Sequence, residues 1–236
     1  MKLLLLASLS VFAFDHSHKA WNQLLSQYVV KQNGQVLVNY RALKASPQKL
    51  DSYLKSLSAV SQAEYEKFSK DQKFSFWVNA YNAFTWKLII DHYPIRSIRK
   101  IGGVFTNPWK MEFFKLLGKK MHLDGIEHGT LRDQWKEHRI HFVVNCASIS
   151  CPNLPLQAIV AKDLEKQLSQ AEESFLKNKS KNDVKKKTIY ASKIFDWYGE
   201  DFAGLGEVEG YLKKFYKLSG EVEVEFLDYD WDLNEA

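Results

Sequence analysis

The segment His141–Pro152, which reads HFVVNCASISCP, contains the only two cysteines of the chain. Its first half is apolar and predicts a buried strand, in which successive side chains point to opposite faces. Cys146 would then share a face with Phe142 and Val144. In such company a cysteine packs as a small hydrophobic residue. His141 would lie on the opposite face.

The second half of the segment predicts that Cys151 is the reactive cysteine. It follows small polar residues and precedes Pro152, which cannot continue a strand and favours a turn or the first position of a helix. We expect a cysteine at such an exit to be exposed, with nearby backbone N–H groups that lower its pKa. The same N–H groups would be suited to form an oxyanion hole.

Three interpretations of the cysteine pair stay open at this point. A disulfide across the four-residue gap is sterically possible and suits an exported protein. Two inert buried thiols are the second interpretation, and a reactive Cys151 with a histidine base is the third. A zinc site would need a second close pair of ligands. His141 leaves a mixed site conceivable, but we predict no metal site.

The segment LDGIEHGTLR, Leu123–Arg132, predicts a helix start that carries two further candidate residues. Asp124 and Glu127 have the spacing of a capping box, which alone would explain Glu127. His128 and Arg132 are four residues apart and share a helical face. The positive end of the helix dipole favours the neutral imidazole that a general base needs. Arg132 could form a bidentate pair with a ligand carboxylate.

A polar stripe interrupts the helix predicted for FSFWVNAYNAFTWKLII, which is otherwise apolar on nearly all sides. Ser75, Asn79 and Asn82 fall on one face of this helix. An unpaired buried polar group costs about 1–3 kcal/mol, so these side chains need partners. They either bond neighbouring backbone and lock the fold, or line a site and orient a substrate.

The N-terminal residues 1–13, MKLLLLASLSVFA, predict a secretory signal peptide with cleavage after Ala13. We therefore expect an exported protein, periplasmic or extracellular, in which residues 14–236 form one domain. The apolar run is shorter than the about 20 residues that span a bilayer, so no stable membrane insertion is expected. An ordinary apolar N-terminal helix is the alternative.

Composition predicts an ordinary globular protein, since 45% of the 236 residues are hydrophobic and 26% are charged. The net charge of +5 is mild, and much of it lies in the lysine-rich segment Lys177–Lys187. We interpret this segment as a solvated loop and predict no nucleic-acid binding. No cofactor is implied, and the oligomeric state is left open.

Helical patterns come first along the chain, and strand and helix patterns then mix without regular βαβ alternation. This order predicts an α+β fold in a single domain, with a helical N-terminal half packed on a small mixed or antiparallel sheet. We predict these elements: helices over Lys19–Val30, from Ser46–Pro47, over Gln62–Tyr93, from Asp124, over Asp163–Leu176, Ser192–Phe202 and Val208–Leu218; strands on both sides of Gly118–Lys119 and over His141–Cys146, Lys186–Ala191 and Glu221–Trp231.

Four stretches together resemble the domain-of-unknown-function 547 (DUF547) family: FWVNAYNAFTWKLIIDHYP, LDGIEHGTLR, RIHFVVNCASISCPNLP and YDWDLN. The resemblance extends roughly from Trp21 to Asn234, and the motifs occur in the family's order. It implies a papain-like or transglutaminase-like arrangement and favours Cys151 as the special thiol, because the position of Cys146 accommodates other residues. The residues that it marks are Asn79, Asn82, Glu127, His128, Arg132, His141, Ser150, Cys151 and Pro152.

These residues lead to the hypothesis of an exported cysteine-dependent hydrolase or acyltransferase that acts on an amide or thioester bond. Cys151 would be the nucleophile, His128 or His141 the base, and Glu127 or an asparagine the group that orients it. The electrostatic setting favours His128, whereas His141 is closer to the cysteines in sequence. The residues expected to bind the substrate are Asn79, Asn82, Arg132 and Ser150.

Two other function classes remain open. A non-enzymatic module could hold a small molecule or peptide in the same polar pocket. A thiol-redox protein is a further alternative, although the C-x4-C spacing differs from the C-x-x-C of thioredoxin-like motifs.

Overall fold

The computed structural model describes residues 13–103 and 106–236. Apart from Ala13, the predicted signal peptide over residues 1–13 lies outside these described residues. Within them, no helix is both long enough and apolar enough to cross a bilayer.

The N-terminal half is helical, as predicted, and its central element is the longest helix, α5. This helix begins with a capping box between Ser69 and Gln72 and ends before Tyr93, the residue that precedes Pro94. The elements of this half are α1 (Lys19–Tyr28), β1 (Val29–Gln32), β2 (Gln35–Val38), α2 (Tyr40–Ala45), α3 (Gln48–Ser58), α4 (Gln62–Glu66) and α5 (Lys70–His92).

The C-terminal half mixes short helices and short strands, which confirms the α+β class. Besides α-helices it contains 3-10 turns at Ile98–Lys100, Pro108–Lys110, His138–Phe142, Ala161–Asp163 and Gly199–Leu205, and a π-helical turn at Glu127–Arg132. The remaining elements are β3 (Phe114–Leu116), β4 (Lys119–Met121), α6 (Leu123–Ile126), α7 (Asp133–Trp135), α8 (Leu164–Leu176), β5 (Asp183–Lys185), β6 (Thr188–Ala191), α9 (Lys193–Trp197), α10 (Glu207–Tyr216) and β7 (Glu223–Phe226).

The strands of the described residues form three separate small sheets instead of the one sheet that we predicted. β1 pairs with β2 and β3 with β4 as antiparallel hairpins, whereas β6 pairs antiparallel with β5 and parallel with β7. Strands this short cannot build a common layer. The large core therefore forms around α5, which is buried on nearly all sides. A second apolar cluster around Phe142, Phe195 and Phe202 lies under β6, α9 and α10.

The strand predicted over His141–Cys146 is wrong. Its first residues form a 3-10 turn, which begins where the Glu137 carboxylate accepts a hydrogen bond from the Arg139 N–H at 3.1 Å. The following backbone pairs with a side chain instead of a strand, because Asn82 of α5 binds the carbonyl of Val143 at 2.8 Å and the N–H of Asn145 at 2.9 Å.

The solvated loop predicted for Lys177–Lys187 is also wrong in part. Residues 183–185 form β5, and Lys181 is only 5% exposed. Its ammonium group donates hydrogen bonds to the carbonyl oxygen of Cys151 and, at 3.2 Å, to Oδ1 of Asn153. Burial lowers the pKa of Lys181 to about 8. The two hydrogen bonds of this buried lysine connect the segment Lys177–Lys187 to the cysteine loop, the loop that contains Cys146, Cys151 and Asn153.

Both asparagines of the predicted polar stripe hold backbone in place, as the fold-locking interpretation expects. Asn79 donates to the carbonyl of Ile159 at 2.7 Å and accepts from its N–H at 3.0 Å. Asn82 forms the equivalent pair with the segment that leads to Cys146. With both amide atoms engaged and each side chain 1% exposed, neither asparagine lies at a surface that a substrate reaches.

We expect Asn82→Ala to lower the free energy of unfolding by about 2–4 kcal/mol, because it leaves one buried carbonyl and one buried N–H without partners. The change is measured by urea unfolding, with Lys70→Ala at the exposed start of α5 as the control. If Asn82→Ala unfolds at the same urea concentration as that control, the amide does not hold this segment.

Candidate functional site

A cavity of about 260 Å³ lies between the C-terminal half of the chain and the side of α5. Five residues singled out from the sequence line it: both cysteines, Glu127, His128 and His141. Asn79, Asn82, Arg132 and Ser150 do not line it, so the four predicted substrate-binding residues lie outside the cavity. The full lining is Tyr81, Asn107, Trp109, Asp124, Glu127, His128, His141, Val144, Cys146, Cys151, Pro152, Ile194, Trp197, Tyr198, Tyr229 and Trp231.

The predicted roles of the two cysteines are reversed in the structure. Cys151, expected to be exposed, is only 5% exposed, and Cys146, expected to pack in the core, is half-buried at the cavity. Both are free thiols, with their sulfurs 3.1 Å apart. The prediction of exposure failed because it rested on a strand that does not form. The segment turns instead at Ala147, whose φ is +63°, and carries Cys151 inward.

Hydrogen bonding makes Cys146 the more acidic thiol. The contact with Cys151 lowers the pKa of Cys146 to about 7 against the opposing effect of burial, because the Cys151 thiol can donate to the Cys146 thiolate once it forms. The hydroxyls of Ser148, at 3.1 Å, and Tyr229, at 3.4 Å, lower it further. Burial raises the pKa of Cys151 well above its usual value. The thiolate is the nucleophilic form of cysteine, so Cys146 is the better candidate nucleophile.

Backbone amides of the loop are already engaged, contrary to the expected oxyanion hole. The Cys146 N–H donates to Sγ of Cys151 at 3.0 Å, and the Cys151 N–H donates to the Ser148 carbonyl at 3.2 Å. The Ala147 N–H donates to Oδ1 of Asn145 at 2.9 Å. The hydroxyls of Ser148 and Tyr229, near the Cys146 sulfur, are groups that can donate to a developing oxyanion.

His141 forms a short hydrogen bond with Asp201, a residue that the sequence did not single out. Its Nε2 lies 2.6 Å from Oδ2 of Asp201, and its ring stacks on Tyr198 with centroids 4.1 Å apart. An ionised carboxylate only accepts hydrogen bonds, so Nε2 carries the proton and Nδ1 is left as an acceptor. His141 is 2% exposed and lines the cavity. This orientation suits a general base.

Arg132 holds Asp201 in place instead of binding a ligand. Its Nε and Nη2 donate to the two oxygens of Asp201 at 2.6 and 2.8 Å, and Nη2 also donates to Glu200 at 2.6 Å. Burial raises the pKa of Asp201, but the hydrogen bonds from His141 and Arg132 outweigh it and lower that pKa below its usual value. Asp201 therefore stays ionised beside His141.

His128, the base that the sequence favoured, has its acceptor nitrogen occupied. Nδ1 lies 2.8 Å from Nη1 of Arg132, and because arginine only donates, that nitrogen is the acceptor. Nε2 then carries the proton, 3.8 Å from Oδ1 of Asp124. With its lone pair used by Arg132, His128 is less suited than His141 to take a proton from a thiol.

Glu127 contacts neither histidine and does not close the predicted capping box. The helix begins at Leu123, where Nδ1 of His122 accepts a hydrogen bond from the Gly125 N–H at 2.9 Å. Glu127 is 6% exposed, and its Oε1 accepts a hydrogen bond from the Tyr198 hydroxyl at 3.0 Å.

Ser150 is tied to the C-terminal segment instead of the cavity. Its hydroxyl accepts a hydrogen bond from the Asp230 N–H at 2.9 Å, and its own N–H donates to the Asp230 carbonyl at 3.1 Å. These bonds place Tyr229, the neighbour of Asp230 in the chain, beside the Cys146 sulfur.

An aromatic wall is the part of the site that residue spacing missed. Trp197 lies 5.6 Å from Trp231 and 4.8 Å from Tyr229, and Trp109 lies 5.7 Å from Trp231, all between ring centroids. Trp197 is 43% exposed. The YDWDLN motif, which contains Tyr229 and Trp231, is the part of the sequence that could have indicated this wall.

The described residues contain no group of three or more His, Cys, Asp or Glu side chains that could hold a metal ion. In these residues the site is a cavity with an acidic thiol, a histidine–carboxylate pair and an aromatic wall.

The site belongs to a mixed helix-and-strand protein with a thiol in its cavity, and one family model matches this chain. Residues 65–176 match the family described as "Protein of unknown function, DUF547". The match confirms the resemblance noted from the sequence over these residues. It includes both cysteines, Glu127, His128 and His141, whereas Asp201, Tyr229 and Trp231 follow it. No curated protein and no solved structure significantly matches the chain.

We expect alkylation of Cys146 by iodoacetamide to reach half of its maximal rate near pH 7, because the thiolate is the reactive form. Cys151→Ala removes the hydrogen bond and should shift this midpoint toward the free-cysteine value of about 8.5. Cys151→Ser keeps a donor and should leave the midpoint near that of the wild type. Rates are measured at each cysteine by peptide mass spectrometry.

Two outcomes would contradict this assignment. The first is faster alkylation of Cys151 than of Cys146 in the reduced protein. The second is a pH dependence of Cys146 alkylation that is the same in Cys151→Ala as in the wild type. If neither cysteine is labelled until a reductant is added, the pair is a disulfide in the purified protein.

Proposed function

We propose that the protein is a cysteine-dependent hydrolase or acyltransferase that acts on an amide or thioester bond, with Cys146 as the nucleophile. The observation that carries the proposal is one cavity lined by the acidic thiol of Cys146 and by His141, which is bonded to Asp201. Thiol catalysis needs this set: a nucleophile, a base, and a group that orients the base.

The reaction would proceed in two steps. The Cys146 sulfur attacks the carbonyl carbon of the substrate, and the thiol proton passes to Nδ1 of His141. His141 then protonates the leaving amine or thiol as the bond to the carbonyl carbon breaks, which leaves an acyl thioester on Cys146. In the second step His141 takes a proton from water or from an acceptor nucleophile, which attacks the thioester and releases Cys146.

Three neighbouring residues have supporting roles in this proposal. The Cys151 sulfur lies 3.1 Å from that of Cys146 and accepts its thiol proton, and once Cys146 is ionised the Cys151 thiol would donate in return and stabilise the thiolate. The hydroxyls of Ser148 and Tyr229, which lie 3.0 Å from each other, are placed to donate to the oxyanion of the tetrahedral intermediate.

Arg132 is a positioning residue, because it acts on His141 only through Asp201. Its hydrogen bonds keep that carboxylate ionised and in one orientation, so that Nδ1 of His141 stays available as the acceptor. A carboxylate that orients a histidine in this way also stabilises the imidazolium formed during the reaction.

The papain-like or transglutaminase-like arrangement stays a prediction of the resemblance. In this chain His141 precedes Cys146 and Asp201 follows it, whereas in papain-type enzymes the cysteine comes first and the histidine far downstream. Catalytic triads are recognised by geometry and by roles, not by chain order. The order alone therefore neither requires nor excludes that relationship.

Export belongs to the same proposal and rests on the signal-peptide pattern of residues 1–13. N-terminal sequencing of the protein purified from its own compartment tests it directly. A mature chain that begins at Phe14 would support export, and an intact Met1 would overturn it.

A thiol-redox role is the second candidate, and it is favoured by the 3.1 Å between the two sulfurs. The Cys146 thiolate would attack a disulfide substrate and release one thiol. Cys151 would then displace the second thiol and close an intramolecular disulfide, so that the substrate is reduced and the protein oxidised. Incubation with glutathione disulfide, followed by mass analysis of the protein, tests for this closed form.

We expect a small aliphatic thioester to acylate Cys146, with an adduct visible by intact-protein mass and located by peptide mapping. Cys146→Ala should abolish the adduct. Asp201→Asn should slow its formation by roughly 100-fold or more, because the histidine is then held in the wrong tautomer. Asp133→Asn, which removes an exposed carboxylate outside the cavity, is the matched control and should react as the wild type does.

The same measurement separates the proposal from its alternatives. If the wild type forms no adduct although Cys146 is readily alkylated, a non-enzymatic binding module becomes the better interpretation. If the adduct forms equally fast in Asp201→Asn, His141 is not the base.

A further inference from the structure

We propose that the cavity beside Cys146 selects substrates that carry an alkylammonium group, held by Asp124 and Glu127 against the aromatic wall. The inference rests on the proposed function in one respect: it takes this cavity to be the place where the substrate reacts. It adds the charge and the chemical class of the group that is recognised.

The first observation is an uncompensated negative charge in the cavity. Its lining contains the carboxylates of Asp124 and Glu127, but neither lysine nor arginine. Among the described residues, Asp124 makes no side-chain hydrogen bond, and only one oxygen of Glu127 is engaged, by Tyr198. Glu127 is 6% exposed and lines the cavity, and among the described residues its second oxygen has no hydrogen-bond partner. A buried carboxylate without a cation is costly, which favours a cationic ligand.

Two nearby cations bind other partners, and a third, Arg99, lies over the ring of Trp231 but does not line the cavity. Arg132 is bound to Asp201 and Glu200. Lys181 lies behind the cysteine loop, where its ammonium donates to the Cys151 carbonyl and to Asn153. Neither side chain lines the cavity, so the carboxylates of Asp124 and Glu127 are available to bind a positively charged group of the ligand.

The second observation is the aromatic character of the rest of the lining. The faces of tyrosine and tryptophan attract cations, most strongly where water is excluded. This chain already uses two of these rings in that way, since the guanidinium groups of Arg99 and Arg132 each lie 5.1 Å from the ring centroids of Trp231 and Tyr198. Trp109, Trp197 and Tyr229 extend the same wall.

The size of the cavity limits what the group can be. A volume of about 260 Å³ is below that of pockets for drug-sized ligands, which begin at about 300 Å³. It suits one small head group with the atoms that join it to the reacting carbonyl. Because six of the sixteen lining residues are tyrosine or tryptophan, an alkylated ammonium fits better than a group that needs many hydrogen bonds.

The test uses Cys146→Ala, which cannot react, and a pair of probes of the same shape. Choline carries a trimethylammonium group, and 3,3-dimethylbutan-1-ol carries a neutral tert-butyl group in its place. Binding is measured by tryptophan fluorescence and by calorimetry at constant ionic strength. We expect choline to bind at least about tenfold more tightly than the neutral alcohol.

Variants connect this preference to the two carboxylates. In the Cys146→Ala background, Asp124→Asn and Glu127→Gln should each weaken choline binding by about tenfold and leave binding of the neutral alcohol unchanged. Glutamine still accepts a hydrogen bond from Tyr198, so the second variant keeps the local structure. Asp133→Asn, on an exposed carboxylate outside the cavity, is the control and should bind choline as its parent does.

Equal binding of the two probes, binding of neither, or binding of glucose in place of choline would each overturn the inference. The wild-type thioester experiment uses a neutral substrate and reports on the chemistry separately. If the adduct forms but choline is not preferred, only the charge selectivity fails. If choline is preferred but no adduct forms, the cavity is a cation-binding site without the proposed reaction.

Discussion

The pair of hydrogen bonds from Asn82 to the backbone of Val143 and Asn145 is the constraint on which the site depends. It fastens the segment between His141 and Cys146 to the most buried helix of the protein. Because those backbone groups are satisfied by a side chain, the segment needs no neighbouring strand and is free to follow an irregular path. That path places one histidine and two cysteines at a single cavity. Asn82, which the sequence predicted as a substrate-binding residue, thus holds in place the segment that leads to the candidate nucleophile.

Two chains of hydrogen bonds prepare opposite sides of the cavity. On one side Arg132 binds Asp201, and Asp201 binds His141, so that a permanent positive charge controls the orientation of a neutral base. On the other side Cys146 donates to the sulfur of the buried Cys151, which can donate in return once Cys146 is ionised, and the more exposed thiol becomes the more acidic one. Each chain has its source in a residue that a substrate does not need to touch. Hydrogen bonds of this kind are strong because the cavity wall excludes water.

Local sequence patterns predicted the secondary structure well where one element is decided by its own residues. The pre-proline end of α5, the hairpin of β3 and β4, and the amphipathic helix α8 all occur within a residue or two of the predicted positions. The strand at His141–Cys146 failed because apolar residues in a row fit any buried backbone, and the choice between strand and turn was made by Asn82. The position of Lys181 was wrongly predicted for a similar reason: a charged side chain is expected in solvent, but two acceptors on the loop of Cys151 and Asn153, about 30 residues earlier in the chain, hold Lys181 inside.

The sequence by itself determined the class of fold, the family resemblance of the segment 65–176, and the small set of residues that reach the cavity: Glu127, His128, His141 and the two cysteines. Only the tertiary structure decided what each of them can do. The orientation of His141 depends on Asp201, which is 60 residues away, and the acidity of Cys146 depends on Tyr229, 83 residues away, as well as on the fold of its own loop around Ser148 and Cys151. No local periodicity records contacts of that range. Residue types therefore restricted the chemistry to a thiol and a histidine, and three-dimensional contacts selected Cys146 and His141 as the candidate pair.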